Sequence, residues 1–343
     1  MKQCAALIII AVTVIISAGC YSKNDYAQKE PYKREMFALD TIISFTIYNG
    51  NAQEVSELSE ELIKTLEKQL SVTDENSEIN RMNNASEPVK VSQDTFNVMK
   101  TACEVYELSE GSLDPTIYPI VKLWGFTTGE NRVPTSNEIQ KTIPLVNASV
   151  IVLNESNLTI TVPKKTELDL GAVAKGYISQ KVKELMKENG VESAVLSFGG
   201  NIQTIGQKNG EPWKIGVKYP FTQDSFIILD IGETAIITSA TDQRYFTHDG
   251  KSYHHIIDPK NGYPVENGTL SVTVVCKDGT KADALSTALF VMGQKRAEEY
   301  WRKNGGFEYL LLDDNSNVYV TSGLKNKMKL SEEYDYLKLN FIE

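Results

Sequence analysis

The chain has 343 residues, with 35 Lys and Arg against 45 Asp and Glu and a formal net charge of −10; that length suits one large body or two intimate ones. The acidity argues against nucleic acid as a partner, because phosphate backbones select clustered cations. Of the four cysteines, Cys4 and Cys20 lie at the extreme N-terminus, and Cys103 with Cys276 is too few for a disulfide framework, though one disulfide stays open.

The opening stretch MKQCAALIIIAVTVIISAGC has a basic Lys2, an apolar run from Cys4 to Ser17 and small residues before Cys20. It reads as a secretory signal over 1–19, with a run shorter than the ~20 residues of a spanning helix. Cys20 after Ala18-Gly19 is the acceptor pattern of a bacterial lipoprotein, with Ser17 where Leu is usual. The mature chain is therefore expected to be exported and lipid-anchored at Cys20 on the outer, periplasmic face of the inner membrane. Residues 20–34 read as a polar tether, 35–330 as the folded body and 331–343 as a C-terminal tail.

Met36 to Tyr48 reads as a strand. Ala52 to Leu70 reads as a helix with Val55, Leu58, Leu62 and Leu66 on one stripe. Residues 71–84 are polar and read as a loop. A second helix is expected over 94–108, its apolar face formed by Phe96, Met99, Cys103 and Tyr106. Residues 110–126 carry two prolines and read as irregular, and Val150–Leu153 with Leu158–Val162 as a hairpin. A helix follows Asp169 and runs to about Lys187, closed by Asn189-Gly190. Strands are expected over 193–198, 213–218, 225–231, 234–238 and 270–276, then a helix from Lys281 to Met292 and a strand pair near 308–321. Strands in runs with irregularly placed helices indicate an α+β fold with mainly antiparallel sheet. No GxGxxG opens a βαβ unit and no GxxxxGK[ST] occurs.

Four stretches carry candidate chemistry. In ELDLGAVAKGYISQ (167–180), Asp169 precedes a helix with Gly171 and Gly176 in its first turns; a helix N-terminus suits a phosphate, and Asp169 as a cap is the alternative. In VLSFGGNIQTIG (195–206), Gly199-Gly200 is either a plain turn or a floor beneath a flat ligand. In KADALSTALFVMG (281–293), Asp283 and Thr287 share one face of an apolar helix. A buried acid needs a partner, and a hard cation such as Mg²⁺ takes oxygen ligands; Asp283 as N-cap with Thr287 bonded to a carbonyl is the other reading. Finally, YHHIIDPKNGYP (253–264) holds two of the three histidines, His254 and His255, with His248 just upstream. On a strand the two point to opposite sides, so one at most faces a given pocket, where a neutral imidazole can take a hydroxyl proton. Zinc is disfavoured by the spacing.

DLGAVAKGY, SFGGN, HHIIDPKNGYP and ADALSTALFVMG, in that order, resemble the ApbE family of FAD:protein FMN transferases over about residues 34–325. The resemblance implies an α+β fold related to the T-fold, spanning the 35–330 body. It implies Mg²⁺-dependent transfer of FMN from FAD to a Thr or Ser hydroxyl of a target flavoprotein, with release of AMP. The implied acceptor carries an Asp-x-x-Thr-Gly-Ala-Thr-like segment and belongs to a membrane redox complex. The implied metal ligands are Ala172 through its backbone oxygen, Asp283 and Thr287, with Ser286 where some members carry an acid. FAD contacts map to Leu39, Thr73, Ser112, Leu113, Asp114, Asp169, Lys175 and Ile257, beside Gly199 and Gly200. His255 is the implied proton acceptor, with Asp258 as its helper or rival. Leu39-Asp40-Thr41 stands where the family often has Met-Gly-Thr, and Thr73 where an aromatic is frequent. FAD hydrolysis to FMN and AMP, or flavin binding without turnover, are the alternative readings.

Overall fold

A computed structural model describes residues 30–343; the signal, Cys4, Cys20 and most of the tether lie outside the described residues. In chain order the elements begin with β1 (Tyr32–Ala38), β2 (Thr41–Ile47), α1 (Ala52–Leu70), α2 (Glu78–Asn84), β3 (Val89–Lys90), α3 (Gln93–Leu108), α4 (Tyr118–Trp124), α5 (Ser136–Thr142), β4 (Val152–Asn154), β5 (Thr159–Thr161) and α6 (Ala174–Glu188). They continue with β6 (Ser193–Phe198), β7 (Asn201–Gly206), β8 (Trp213–Lys218), β9 (Ser225–Ile231), β10 (Ala235–Ala240), β11 (Tyr245–His248), β12 (Lys251–His254), β13 (Thr269–Cys276), α7 (Gly279–Asn304), β14 (Glu308–Asp313), β15 (Asn317–Thr321), β16 (Met328–Leu330) and β17 (Lys338–Ile342).

One nine-stranded sheet, ordered β1-β2-β6-β7-β10-β13-β14-β15-β17, organises the fold. Its neighbours pair antiparallel except β15 and β17. Successive side chains on a strand point to opposite faces, and the core divides accordingly. Val274 and Leu311 join the helices α1, α3, α6 and α7 in the larger core. Val275, Leu310 and Leu312 instead meet Trp213, Phe226 and Leu229 of the small sheet β16-β9-β8 on the other face. The expected α+β, mainly antiparallel architecture is the one observed.

Several elements differ from the sequence reading. Residues 71–84 end in α2, opened by Ser77, whose hydroxyl accepts from Asn80 N–H at 2.8 Å. With only Ile79 and Met82 buried, that helix is too short to show a period. The segment 110–126 contains α4, which tolerates Pro119 because a proline in the first turn removes no helical hydrogen bond. The inward face of α1 is rotated from the expected stripe: Ser56, Ser59 and Ile63 are buried, whereas Leu58 is exposed. Those serines tolerate burial because their hydroxyls donate to the Gln53 and Val55 carbonyls at 2.7 Å. The helix expected after Asp169 starts at Ala174. Strand β7 was not among the expected strands. The 20–34 tether overlaps β1 from Tyr32, and the 331–343 tail contains β17, a strand of the main sheet. Cys103 and Cys276 are free thiols. The helix expected to end near Met292 continues as α7 through a kink at Gly293, where the Asn267 side chain donates to the Phe290 carbonyl at 2.9 Å.

Candidate active site

The first turn of α6 lies directly against α7. A Cβ on Gly176 would sit 2.3 Å from the Gly279 carbonyl oxygen and 2.4 Å from Asp283 Cβ, so only glycine permits this approach. The contact brings the Gly176 N–H onto Asp283 Oδ2 at 2.7 Å, while Asn201 Nδ2 on β7 donates to Oδ1 at 3.0 Å. What comes close to Gly176 is thus a neighbouring helix, and an orphan N–H at the start of α6 is given to a carboxylate of the same chain. Asp169, half-buried, does not cap α6. Its Oδ1 accepts from Gly171 N–H at 2.7 Å, and its own N–H donates to the Pro115 carbonyl at 2.8 Å.

Asp283 is 5% exposed. Burial pushes its pKa up, opposed by Lys175 and by the Gly176 and Asn201 hydrogen bonds. Both hydrogen-bonding partners are neutral, so an ionised Asp283 lacks a full counter-charge in contact. Its N-cap alternative is excluded by the fold, because Asp278 caps α7 by accepting from Thr280 and Lys281 N–H. One turn along, Ser286 Oγ donates to the Asp283 carbonyl at 2.8 Å and lies 2.8 Å from Ser239 Oγ of β10, which is 3.3 Å from Thr287 Oγ1. A buried carboxylate with neutral partners beside three clustered hydroxyls is an all-oxygen donor set that fits a hard divalent cation. Ala172 lies in the turn before α6.

The hairpin of β11 and β12 carries the histidines. The two histidines part ways at its end. His254 Nε2 lies 3.0 Å from the Val265 carbonyl, its Nδ1 accepts from Ile256 N–H at 3.3 Å, and its ring stands edge-on to Phe290. Both nitrogens are engaged in structure. His255 is half-buried, and its backbone N–H and Nδ1 both reach the Arg244 carbonyl, at 3.0 and 3.2 Å. A carbonyl only accepts, so Nδ1 carries the hydrogen and Nε2 keeps its lone pair. Burial, then the Lys175 charge, pushes the His255 pKa down to about 3, so the ring is neutral near pH 7. Lys175 also favours the ionised forms of Asp169 and Asp283, which places it electrostatically among all three.

The remaining expected residues divide. Gly199 and Gly200 form the β6–β7 turn with φ of +62° and +99°, and Gly199 packs where a Cβ would be 2.2 Å from Thr41 Oγ1. Leu39 and Asp40, both at positive φ, form the tip of the β1–β2 hairpin, where the glycine of the family pattern would be the easier residue. Asp40 is paired with Arg244 at 3.1 Å. Asp114 is buried: Oδ1 accepts from the Thr116 N–H and hydroxyl, and Oδ2 from Ala148 N–H. Ser112 Oγ accepts from Arg296 at 3.1 Å, Leu113 is buried, and Thr73 is exposed. Ile257 is enclosed with Ile120, Trp124 and Ile139. Asp258 shapes the DPKNGY turn, its oxygens accepting from Lys260 N–H and Asn261 Nδ2, both at 2.9 Å. Three residues of this region went unassigned from sequence: Asn201 stood inside the quoted SFGGN stretch, Arg244 was visible as a base just upstream of the histidines, and Ser239 left no signal.

The ApbE family matches residues 39–311. An FAD:protein FMN transferase of Klebsiella pneumoniae is 33% identical over 76% of this chain and 83% of its own. One of Treponema pallidum is 27% identical over 96% and 98%. The ApbE protein of Thermotoga maritima superposes with a TM-score of 0.78 at 32% identity, covering 90% of this chain and 99% of that one. The flavin transferase ApbE of Vibrio cholerae gives a TM-score of 0.77 at 28% identity, covering 87% and 99%.

Proposed function

This chain belongs to the ApbE family and is an FAD:protein FMN transferase; from that premise we propose that it delivers FMN to a Thr or Ser hydroxyl of a target flavoprotein and releases AMP. The observation that carries the reading is the 3.2 Å contact of His255 Nδ1 with the Arg244 carbonyl, which assigns the ring hydrogen to Nδ1 and leaves Nε2 with a lone pair for a proton. In the proposed reaction Nε2 takes the proton of the acceptor hydroxyl, the hydroxyl oxygen bonds to the FMN phosphorus, and the diphosphate P–O bond breaks with AMP as leaving group. The chain's share of this chemistry is positioning and charge. Lys175 and Arg244 supply positive charge near His255 to receive an anionic diphosphate. An arriving anion raises the basicity of a histidine that the free protein keeps far below its ordinary range.

Asp283, Thr287, Ser286 and the Ala172 carbonyl would hold Mg²⁺, which when bound neutralises diphosphate charge and acts as a Lewis acid. Asp169 and the Gly199-Gly200 turn are the proposed boundary of the flavin nucleotide, and an Asp-x-x-Thr-Gly-Ala-Thr-like segment of a membrane redox subunit is the proposed acceptor. We also propose that Cys20 is lipidated and anchors the exported protein to the membrane; Cys20→Ala should move it from the membrane fraction to the soluble one, and unchanged fractionation would reject the anchor. The chemistry is tested by incubating the protein with FAD, Mg²⁺ and an acceptor bearing that segment. Covalent flavin fluorescence on the acceptor with equimolar AMP supports it. AMP appearing at the same rate with no labelled acceptor identifies a hydrolase instead.

A further inference from the structure

We propose that the acceptor protein docks on an apolar rim bordering the His255 wall, built from Phe37 and Ile42 on one side and Phe221 and Tyr245 on the other; this rests on the transferase reading above. Among the described residues, the three most exposed large apolar side chains are Phe37, Ile42 and Phe221, at 74, 64 and 61%. Exposed apolar residues scattered singly need no explanation, whereas apolar surface gathered at one place marks an interaction site. Contacts tie them into two pairs, the second completed by Tyr245. Phe37 and Ile42 are directly opposed across the β1–β2 hairpin, whose tip carries Asp40. Asp40 is paired with Arg244 at 3.1 Å, and the next residue, Tyr245, packs edge-on to Phe221 with ring centroids 5.6 Å apart. The two apolar pairs are therefore joined through one ion pair, and the carbonyl of its arginine holds His255.

The backbone supports a built surface. Phe221 has a φ of +63°, a left-handed conformation that bulky residues rarely adopt, and its N–H is fixed by Asp242 Oδ2 at 2.8 Å. Such outliers persist where the surroundings impose them, and they gather at functional sites. Here the strained turn holds a phenyl ring in solvent.

The occupant follows from continuity with the reacting wall. The transferase needs a protein hydroxyl at His255, and a polypeptide arriving there meets Arg244 and Tyr245, neighbours of that histidine in the hairpin. Aromatic residues are enriched at the cores of protein interfaces. The matching partner is a flavoprotein that presents apolar side chains around its modified Thr or Ser.

The test uses the full chain and a flavoprotein domain bearing an Asp-x-x-Thr-Gly-Ala-Thr segment, with FAD and Mg²⁺. Phe37→Ser/Ile42→Ser and Phe221→Ser should each raise the KM for this acceptor about tenfold or more, the effect of losing an interface anchor. The kcat at saturating acceptor, FAD affinity and melting temperature should stay unchanged, and Val152→Ser, at another exposed apolar position, should leave KM unaltered. An unchanged acceptor KM in both rim variants overturns the docking surface while leaving the transferase intact. So does a concentration-dependent dimer that the variants abolish without altering KM, because the rim is then a contact between two copies of this chain. Absence of transfer by the unmodified protein overturns the transferase reading, and the docking surface with it.

Discussion

Asp283 and His255 are both titratable residues within the field of Lys175, yet they are held in opposite ways. Asp283 is 5% exposed and gripped from two sides, by the Gly176 N–H and by Asn201. His255 is half-buried and tethered at Nδ1 alone, with Nε2 left to act. The corner around Asp283 is a buried polar seam between two helices and two strands, where an oxygen set keeps fixed geometry. His255 follows a two-stranded hairpin, β11 and β12, whose residues are mostly exposed. A cation needs rigid ligands, and a protein acceptor needs access.

The largest expected effect breaks the corner. Asp283→Ala should lower transfer by about 10³-fold, the scale of the several kcal/mol of charge stabilisation that a bound cation supplies, and Mg²⁺ should no longer raise the melting temperature. Next comes the wall. His255→Ala should cost about 10²-fold in transfer, the lower range for loss of a general base, while leaving Mg²⁺-induced stabilisation intact. His254→Ala should do the reverse, lowering the melting temperature through the lost Val265 bond and Phe290 contact while the folded fraction keeps its turnover rate. Asn201→Ala sharpens the contrast within the corner: Mg²⁺ affinity, measured by calorimetry, should fall about 10- to 100-fold, as when a partner of a metal ligand is removed.

Proton linkage gives the two regions opposite signs. The folded pKa of Asp283 is raised, so the metal-free folded protein binds more protons than the unfolded chain above the ordinary carboxylate value, and acidification stabilises it. The His255 pKa is lowered to about 3, so between its ordinary value and about 3 the folded state binds fewer protons, and acidification destabilises it. Denaturant titrations from pH 7 to pH 5 without Mg²⁺ should therefore show any stability advantage of Asp283→Asn over the unmodified protein shrinking, and that of His255→Gln growing. Parallel slopes would mean the two groups are not held as described. The smallest effect belongs to the hairpin tip: Asp40→Gly loses an exposed ion pair worth about 0–1 kcal/mol but relieves a left-handed backbone, so the melting temperature should move by no more than about 2 °C.

The sequence made the periodic parts of this molecule legible. Strand β6 and the bounds of the helix Ala52–Leu70 are where the pattern puts them, while the buried face of that helix is set by its packing. It could not report what long-range packing decides. Gly176 stands in a first turn that suits a phosphate, and its neighbour is α7, with Asp283 107 residues further along the chain. The hydrogen bonds that Asp114 accepts from Thr116 and Ala148 span up to 34 residues, and sequence alone does not show them. The tail became β17 because an edge strand needs a partner that sequence alone does not identify. Ser239 has no local signal: its role exists only where β10 meets α7. The helical spacing of Asp283 and Thr287 was readable, since one turn of one helix holds both.

The central claim is that the Asp283 corner and the His255 wall serve one transfer. It is tested most directly by incubating the protein, Asp283→Ala and His255→Ala with FAD, Mg²⁺ and an Asp-x-x-Thr-Gly-Ala-Thr acceptor, then reading covalent flavin fluorescence on the acceptor after denaturing electrophoresis. The unmodified protein should give a fluorescent acceptor band that chelation removes and that either substitution slows by about 10²-fold or more. A band of equal intensity from either variant, or one indifferent to chelation, would contradict it.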